Sequence, residues 1–192
     1  MRTLNGLAAL AAVFCFGVPA LPAAETHTID TTHSTVLFKV KHLGTSNSYG
    51  RFNDIAGTIV DDDKDSSKGS IDITVKVESI DTGNEKRDQH LKSPDFFAAK
   101  QFPTITFKSK SVKALPDGGF EASGQLTLHG VTRDLKVKVE KTGTGKAMRG
   151  DGKLTGFEAK FTIKRSDFDM KFMIGGIGDE VELTVAVECE TK

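Results

Sequence analysis

Apolar residues recur at every second position along most of the chain, and this period marks β-strands with one dry face and one wet face. In Val36–His42, Val36, Phe38 and Val40 share a face, and His42 follows them in parity. Residues 69–80 set Ile71, Ile73, Val75 and Val77 against Asp72, Thr74, Lys76 and Glu78. Residues 103–111 put Ile105 and Phe107 opposite Lys108 and Lys110. Leu126 and Leu128 alternate with Thr127 and His129, and Leu135, Val137 and Val139 alternate with Lys136, Lys138 and Glu140. Further on, Phe157, Ala159, Phe161 and Ile163 form one row, and Val181, Leu183, Val185, Val187 and Cys189 form another. Residues 52–61 read as one more strand, whose inward face the pattern does not assign. That makes about eight strands.

One-sided strands pair antiparallel. The joints agree: residues 61–69, 116–119, 142–152 and 175–179 are rich in Gly, Asp, Ser and Lys, the chemistry of turns. One segment breaks the period. Thr82 and Glu85 have capping-box spacing and open a short helix over Asn84–Leu91. Ser93-Pro94 then starts a second short turn carrying Phe96 and Phe97. The expected class is all-β, an antiparallel sheet of eight strands that closes into a barrel or splits into a sandwich. Closure removes exposed edges. At eight strands a barrel either fills itself with side chains or leaves room for one small ligand.

The first residues do not fit this pattern. Arg2 is the only charge before Glu25, an apolar run follows from Leu7 to Val18, and Pro19–Ala24 is small and helix-breaking. This is the layout of a secretory signal peptide over residues 1–24, cleaved between Ala20 and Glu25, and the run is too short to span a membrane. One domain, residues 25–192, remains. The expected mature protein is exported, soluble and not membrane-spanning. Loss of Arg2 turns a balance of 26 basic and 26 acidic residues into a net charge of −1. That excludes an electrostatic footprint for nucleic acid. Cys189 is the one cysteine left, so no internal disulfide forms and a packed core must supply the stability.

Several short pieces, in order, resemble the YceI-like, lipocalin-like, polyisoprenoid-binding proteins of bacteria. They are Asp30 with His33-Ser34, Phe38 and His42; Gly50-Arg51-Phe52; Ser79–Gly83; Arg87-Asp88 with His90-Leu91; Ser93–Phe97; Phe102–Phe107; Gly124–Arg133; Arg165–Met170; and Gly178–Val181. The resemblance implies an antiparallel lipocalin-like barrel with a short helix over one part. It also implies a long apolar lumen for an isoprenoid or a similar lipid, such as a quinone or fatty-acid-type chain, a periplasmic location, a homodimer and no catalysis. One position departs from the family pattern, which often has Gly where Asp169 stands.

Spacing alone reads the inward rows as a self-filled core, and the resemblance reverses that reading. The expected ligand-binding wall is Phe38, Val40, Val75, Ile105, Phe107 and Leu126. It continues through Leu128, Val137, Phe161, Ile163, Leu183 and Val185. By parity His42 ends the first row inside, where it can meet a ligand head group or a backbone carbonyl. Arg165 shares the parity of Phe161 and Ile163. A buried guanidinium needs a partner, either Asp88, Asp95 or Asp167, or an anionic ligand.

His27, Asp30 and His33 match no zinc spacing, so no metal is expected. Cys189 reads as a small buried hydrophobe, and His90 and His129 as exposed. The chain has no G-x-S-x-G and no H-E-x-x-H motif, and adjacent His33 and Ser34 point to opposite faces of a strand. A carrier of a long-chain lipid is therefore the expected function, with no cofactor. The alternative is a ligand-free dimeric interaction or stress-response module.

Overall fold

Strands account for most of the computed structural model, which describes residues 24–62, 65–148 and 151–191. The expected signal peptide, apart from Ala24, lies outside the described residues, as does part of the acidic turn Asp61–Asp65. Eleven strands are present among the described residues: β1 (Glu25–Ile29), β2 (Thr35–His42), β3 (Ser46–Phe52), β4 (Ile55–Asp61), β5 (Ser70–Lys76), β6 (Ile80–Asp81), β7 (Thr104–Ala114), β8 (Phe120–Leu128), β9 (Val131–Lys146), β10 (Lys153–Lys164) and β11 (Ile177–Thr191). A helix, α1 (Glu85–Lys92), accompanies them.

All pairings between these strands are antiparallel. A ring of eight closes in the order β1-β4-β5-β7-β8-β9-β10-β11 and back to β1. Near its upper end the wall continues through β2, β3 and β6. Strand β11 is long enough to pair β1 through Cys189–Thr191 and β2 through Ile177–Ala186. The short turn Thr31–His33 separates those two partners. Asp30 caps this turn, its carboxylate accepting from the Thr32 N–H at 2.8 Å.

Two of these strands are ones the period-two pattern passes over. In β1 the inward positions are His27 and Ile29, so half of the dry face is polar by residue type and no apolar row appears. In β3 only Phe52 is buried, because the strand sits on the rim. The open face of 52–61 resolves as Phe52, Ile55 and Ile59 inward. Gly57 lets β4 lie close to β5: its φ is +148°, and a β-carbon there would come within 2.0 Å of the Asp72 carbonyl oxygen. Gly50 makes room for the Phe38 ring, whose Cζ would stand 2.3 Å from a β-carbon at that position.

Helix α1 covers the part of the wall beside β6. Its cap is Asn84, not Thr82: the Asn84 side chain accepts from the Arg87 N–H at 3.0 Å. Thr82 instead binds the Asp88 carboxylate through its backbone N–H at 2.9 Å and accepts from Arg87 Nε at 2.7 Å. These contacts fasten the helix to the end of β6. Phe97, beyond the helix, meets Phe52 edge-on at 5.5 Å between ring centres and carries the cover into the interior.

The outward faces are stitched by ion pairs between neighbouring strands, among them Lys39–Glu182, Lys108–Asp72 and Lys136–Glu121. Exposed pairs of this kind contribute little stability, ~0–1 kcal/mol each, so the interior carries the fold.

Candidate functional site

The two halves of the barrel are packed differently. In the lower half Ile55, Ile59, Phe120 and Phe157 are sealed from solvent, and the Phe120 and Phe157 rings sit 5.8 Å apart. Higher up, residues of the same inward parity keep exposed surface. On β11, Val187 and Cys189 are buried while Val181, Leu183 and Val185 are only half-buried. On β10, Phe157 and Ala159 are buried while Phe161 and Ile163 are half-buried. On β7, Val112 is buried and Ile105 and Phe107 are not. An inward residue that keeps surface exposed inside a closed wall borders a void. That void is a cavity of about 180 Å³.

Apolar side chains make up nearly all of its lining, with Glu158 and Arg165 the two ionisable residues. Glu158 belongs by parity to the outer face of β10 and pairs with Lys160 there. Water is a poor occupant. The space is many times the ~10–15 Å³ that one water needs, but a buried water also needs two to four polar partners.

Thirteen of the fourteen residues expected from sequence border this cavity: Phe38, Val40, Val75, Ile105, Phe107, Leu126, Leu128, Val137, Phe161, Ile163, Arg165, Leu183 and Val185. His42 does not. It is exposed, pairs in register with Ile177 and Ser46 at the end of β2, and its carbonyl accepts from the Thr45 N–H at 3.0 Å. Parity alone placed it inside; the strand has already left the barrel wall and entered a turn at that point.

Phe96, Phe97, Met170 and Ile177 also line the cavity. These four sit in turns or at a strand end, where neither a period of two nor one of 3.6 could flag them. The Ser93-Pro94 signal with its following Phe pair was the one sequence sign of two of them.

Arg165 is 4% exposed and makes no ion pair with Asp88, Asp95 or Asp167. Its Nη1 donates to the Met170 carbonyl at 2.7 Å, Nε to Gly178 at 2.9 Å and Nη2 to Ile177 at 3.0 Å. Burial lowers its pKa, and the nearby Asp179 carboxylate opposes that. Asp179 is engaged by the Ser166 hydroxyl at 2.8 Å and the Ser166 N–H at 2.9 Å. The two acids closest to the expected pairing are occupied elsewhere: Asp95 by His90 at 2.9 Å and Asp88 by Thr82. Backbone carbonyls of the β10–β11 connection and the start of β11 thus replace the carboxylate that the sequence led one to expect.

Asp169 stands at φ +57°, a left-handed position that explains why glycine suits it. Asp tolerates that conformation, and its carboxylate reaches Lys171 at 2.8 Å without entering the cavity lining.

The floor of the barrel is polar and closed. His27 is fully enclosed; its Nδ1 meets the Thr191 hydroxyl at 2.8 Å, and Thr191 meets Thr155 at 3.0 Å. The ring lies edge-on to Phe157 at 5.1 Å, and its Nε2 finds no partner among the described residues. Burial, then the Lys141 charge, holds its pKa below the usual value. Cys189 is wholly buried, and burial pushes its thiol up to about 12, so it is the inert hydrophobe its parity implied.

His90 is exposed as expected, whereas His129 is half-buried, its Nδ1 donating to the Phe168 carbonyl at 3.1 Å. Glu188, remote in sequence, joins Asp30 and His33: His33 Nδ1 lies 2.6 Å from Asp30 and 3.7 Å from Glu188 on the surface.

A closed antiparallel barrel thus surrounds an apolar void that reaches down to Ile59 and Phe157, above a sealed polar floor. The YceI-like domain model matches residues 27–189, and the chain belongs to that family. A UPF0312 protein of Pseudomonas aeruginosa is 39% identical over 187 residues, covering 97% of this chain and 96% of that protein. The crystal structure of Burkholderia cenocepacia BcnA superposes with a TM-score of 0.73 at 24% identity, over 83% of this chain and 98% of that one. A polyisoprenoid-binding domain from Saccharophagus degradans, implicated in plant cell wall breakdown, gives a TM-score of 0.63 at 17% identity, over 86% and 98%. Both structures have the same barrel. Among the described residues, no helix is long and apolar enough to cross a membrane.

Proposed function

We propose that this protein binds the tail of a polyisoprenoid-like or other long-chain lipid in the upper half of its barrel and carries or sequesters it in the periplasm. The apolar void supports this most directly. Its wall offers water little beyond a guanidinium already engaged by three carbonyls and Glu158, whose carboxylate pairs with Lys160 on the outer face. A hydrocarbon chain gains about 0.8 kcal/mol for each methylene it buries, so a dozen carbons suffice for firm binding after the cost of association. Along β11 the lining from Val181 to Val187 runs for ~20 Å at the usual strand rise, which suits a chain more than a compact ligand.

The polyisoprenoid named for the Saccharophagus degradans domain agrees with this class of ligand. Export is supported by the Arg2, Leu7–Val18 and Pro19–Ala24 layout, with β1 beginning at Glu25. No nucleophile–base pair or acidic cluster borders the void, so binding without chemical change is the proposed activity.

The test fills the void without charging it. Val40→Phe combined with Val185→Phe adds two rings where side chains now border empty space. The fold should keep its urea midpoint, and affinity for a solubilised polyprenol should fall by about tenfold or more. Unchanged affinity in the folded double variant would place the tail elsewhere. If the unmodified protein takes up no lipid at all, it is instead a ligand-free module.

A further inference from the structure

The upper end of the barrel exposes three large apolar side chains on two turns. Leu43, in the β2–β3 turn, is 58% exposed, and Met173 and Ile174, between β10 and β11, are 51% and 48% exposed. Leu43 and Met173 also hold φ of +48° and +50°. A residue with a β-carbon is disfavoured in that left-handed region. Backbone strain and solvent-exposed hydrocarbon therefore coincide at one place, the combination expected where a surface is kept for a contact.

The two turns are fixed to each other. The Leu43 N–H donates to the Gly176 carbonyl at 2.6 Å, and the N–H groups of Gly176 and Ile177 donate to the Met173 carbonyl at 3.0 and 2.8 Å. A β-carbon on Gly176 would lie 3.1 Å from the Met173 methyl and 3.7 Å from Leu43 Cδ2, so both side chains flank one spot.

This patch backs onto the cavity. Met170 and Ile177, on either side of Met173-Ile174, line the void, and the Arg165 guanidinium holds both of their carbonyls. Residues 40–47 and 170–177 contain Lys41, His42 and Lys171 and no carboxylate. Lys171 reaches Asp169, just outside that stretch, at 2.8 Å; Lys41 and His42 are exposed and make no ion pair among the described residues. At the opposite end Met148 is exposed too, but it is a single residue on a turn with Lys146 and Asp151.

We propose that this end docks on an anionic lipid bilayer. Leu43, Met173 and Ile174 enter the interface, and Lys41 and Lys171 lie at the level of the phosphates. A second copy of the chain is the rival occupant, with Leu37 and Tyr49 on the outer face of the same hairpin as additional apolar surface. A two-fold contact centred on these tips would bring Lys41 and Lys171 against their own counterparts, whereas a bilayer supplies the opposite charge. The proposal rests on the lipid-binding reading and adds where the lipid is exchanged.

The chain contains no tryptophan, so an introduced one reports its own position. Met173→Trp should shift its emission to the blue on adding vesicles of phosphatidylcholine with phosphatidylglycerol. Lys113→Trp, at the far end of the barrel, should not. The triple variant Leu43→Asp, Met173→Asp, Ile174→Asp should lose co-sedimentation with those vesicles. It should also deliver bound polyprenol to them about tenfold more slowly, with solution affinity for the lipid unchanged. Absence of the blue shift, or a triple variant that docks and delivers like the unmodified protein, overturns the proposal. So does a triple variant whose only change is from dimer to monomer. Failure of the lipid-binding reading shows differently: polyprenol is not taken up in solution, whatever the Met173→Trp emission does.

Discussion

Arg165 and His27, both buried, bracket the interior, and each is accommodated in its own way. The guanidinium stays protonated because three carbonyls satisfy it at the top of the cavity. The imidazole at the floor is kept neutral by burial and by Lys141, against smaller opposite effects from Asp61 and Glu25. Its folded pKa therefore lies below its unfolded value of 6.5. The unfolded chain takes up the proton first as pH falls, so stability is full above the unfolded value and declines below it until the folded value is reached. His33 works the other way: the Asp30 carboxylate raises its pKa, so its contribution is complete at low pH and is lost as pH rises through that raised value. Urea midpoints measured from about pH 7.5 down to about pH 5 should fall in the unmodified protein, and His27→Phe should remove most of that fall. An equal acid loss in the folded His27→Phe protein would mean that another group governs it.

Strand by strand, legibility followed the chemistry of the dry face. Rows such as Val181–Val187 and Phe157–Ile163 were readable because every inward residue is apolar and the wet face is charged. Strand β1 was not, since its inward His27 is polar by type and buried only through long-range pairing with β11 and β4. The helix was readable, but its cap shifted from Thr82 to Asn84, because Thr82 is drawn to Asp88 and Arg87. The sheet also depends on a glycine that no strand pattern rewards. Gly57→Ala would force a β-carbon toward the Asp72 carbonyl from a backbone angle that alanine rarely adopts. It should lower stability by ~2–4 kcal/mol in equilibrium denaturation. A change below measurement error would show that β4 and β5 separate freely there.

For the molecule as a whole, the closed barrel followed from one-sided strands and the need to hide their edges. Whether it was hollow did not follow. Cys189, buried, and Val185, half-buried, occupy equivalent places in one alternating row of β11, and no local property of the sequence says which of them borders a void. The difference lies in how the inward side chains meet: the Phe120 and Phe157 rings stand 5.8 Å apart in the lower half, while Phe107, Phe161, Leu183 and Val185 border space that no side chain fills. The cavity-lining residues were legible because parity selects every inward side chain, whether the interior is packed or open. Parity failed at His42, where the strand leaves the wall, and it said nothing of Phe96, Phe97 or Met170 in the turns. Native mass spectrometry of the protein purified without denaturant from its own host tests the hollow most directly. One long-chain lipid per chain, expelled on collisional activation, is the predicted result. Bare polypeptide mass alone, with an interior closed by its own phenylalanine and leucine side chains in an electron-density map, would contradict it.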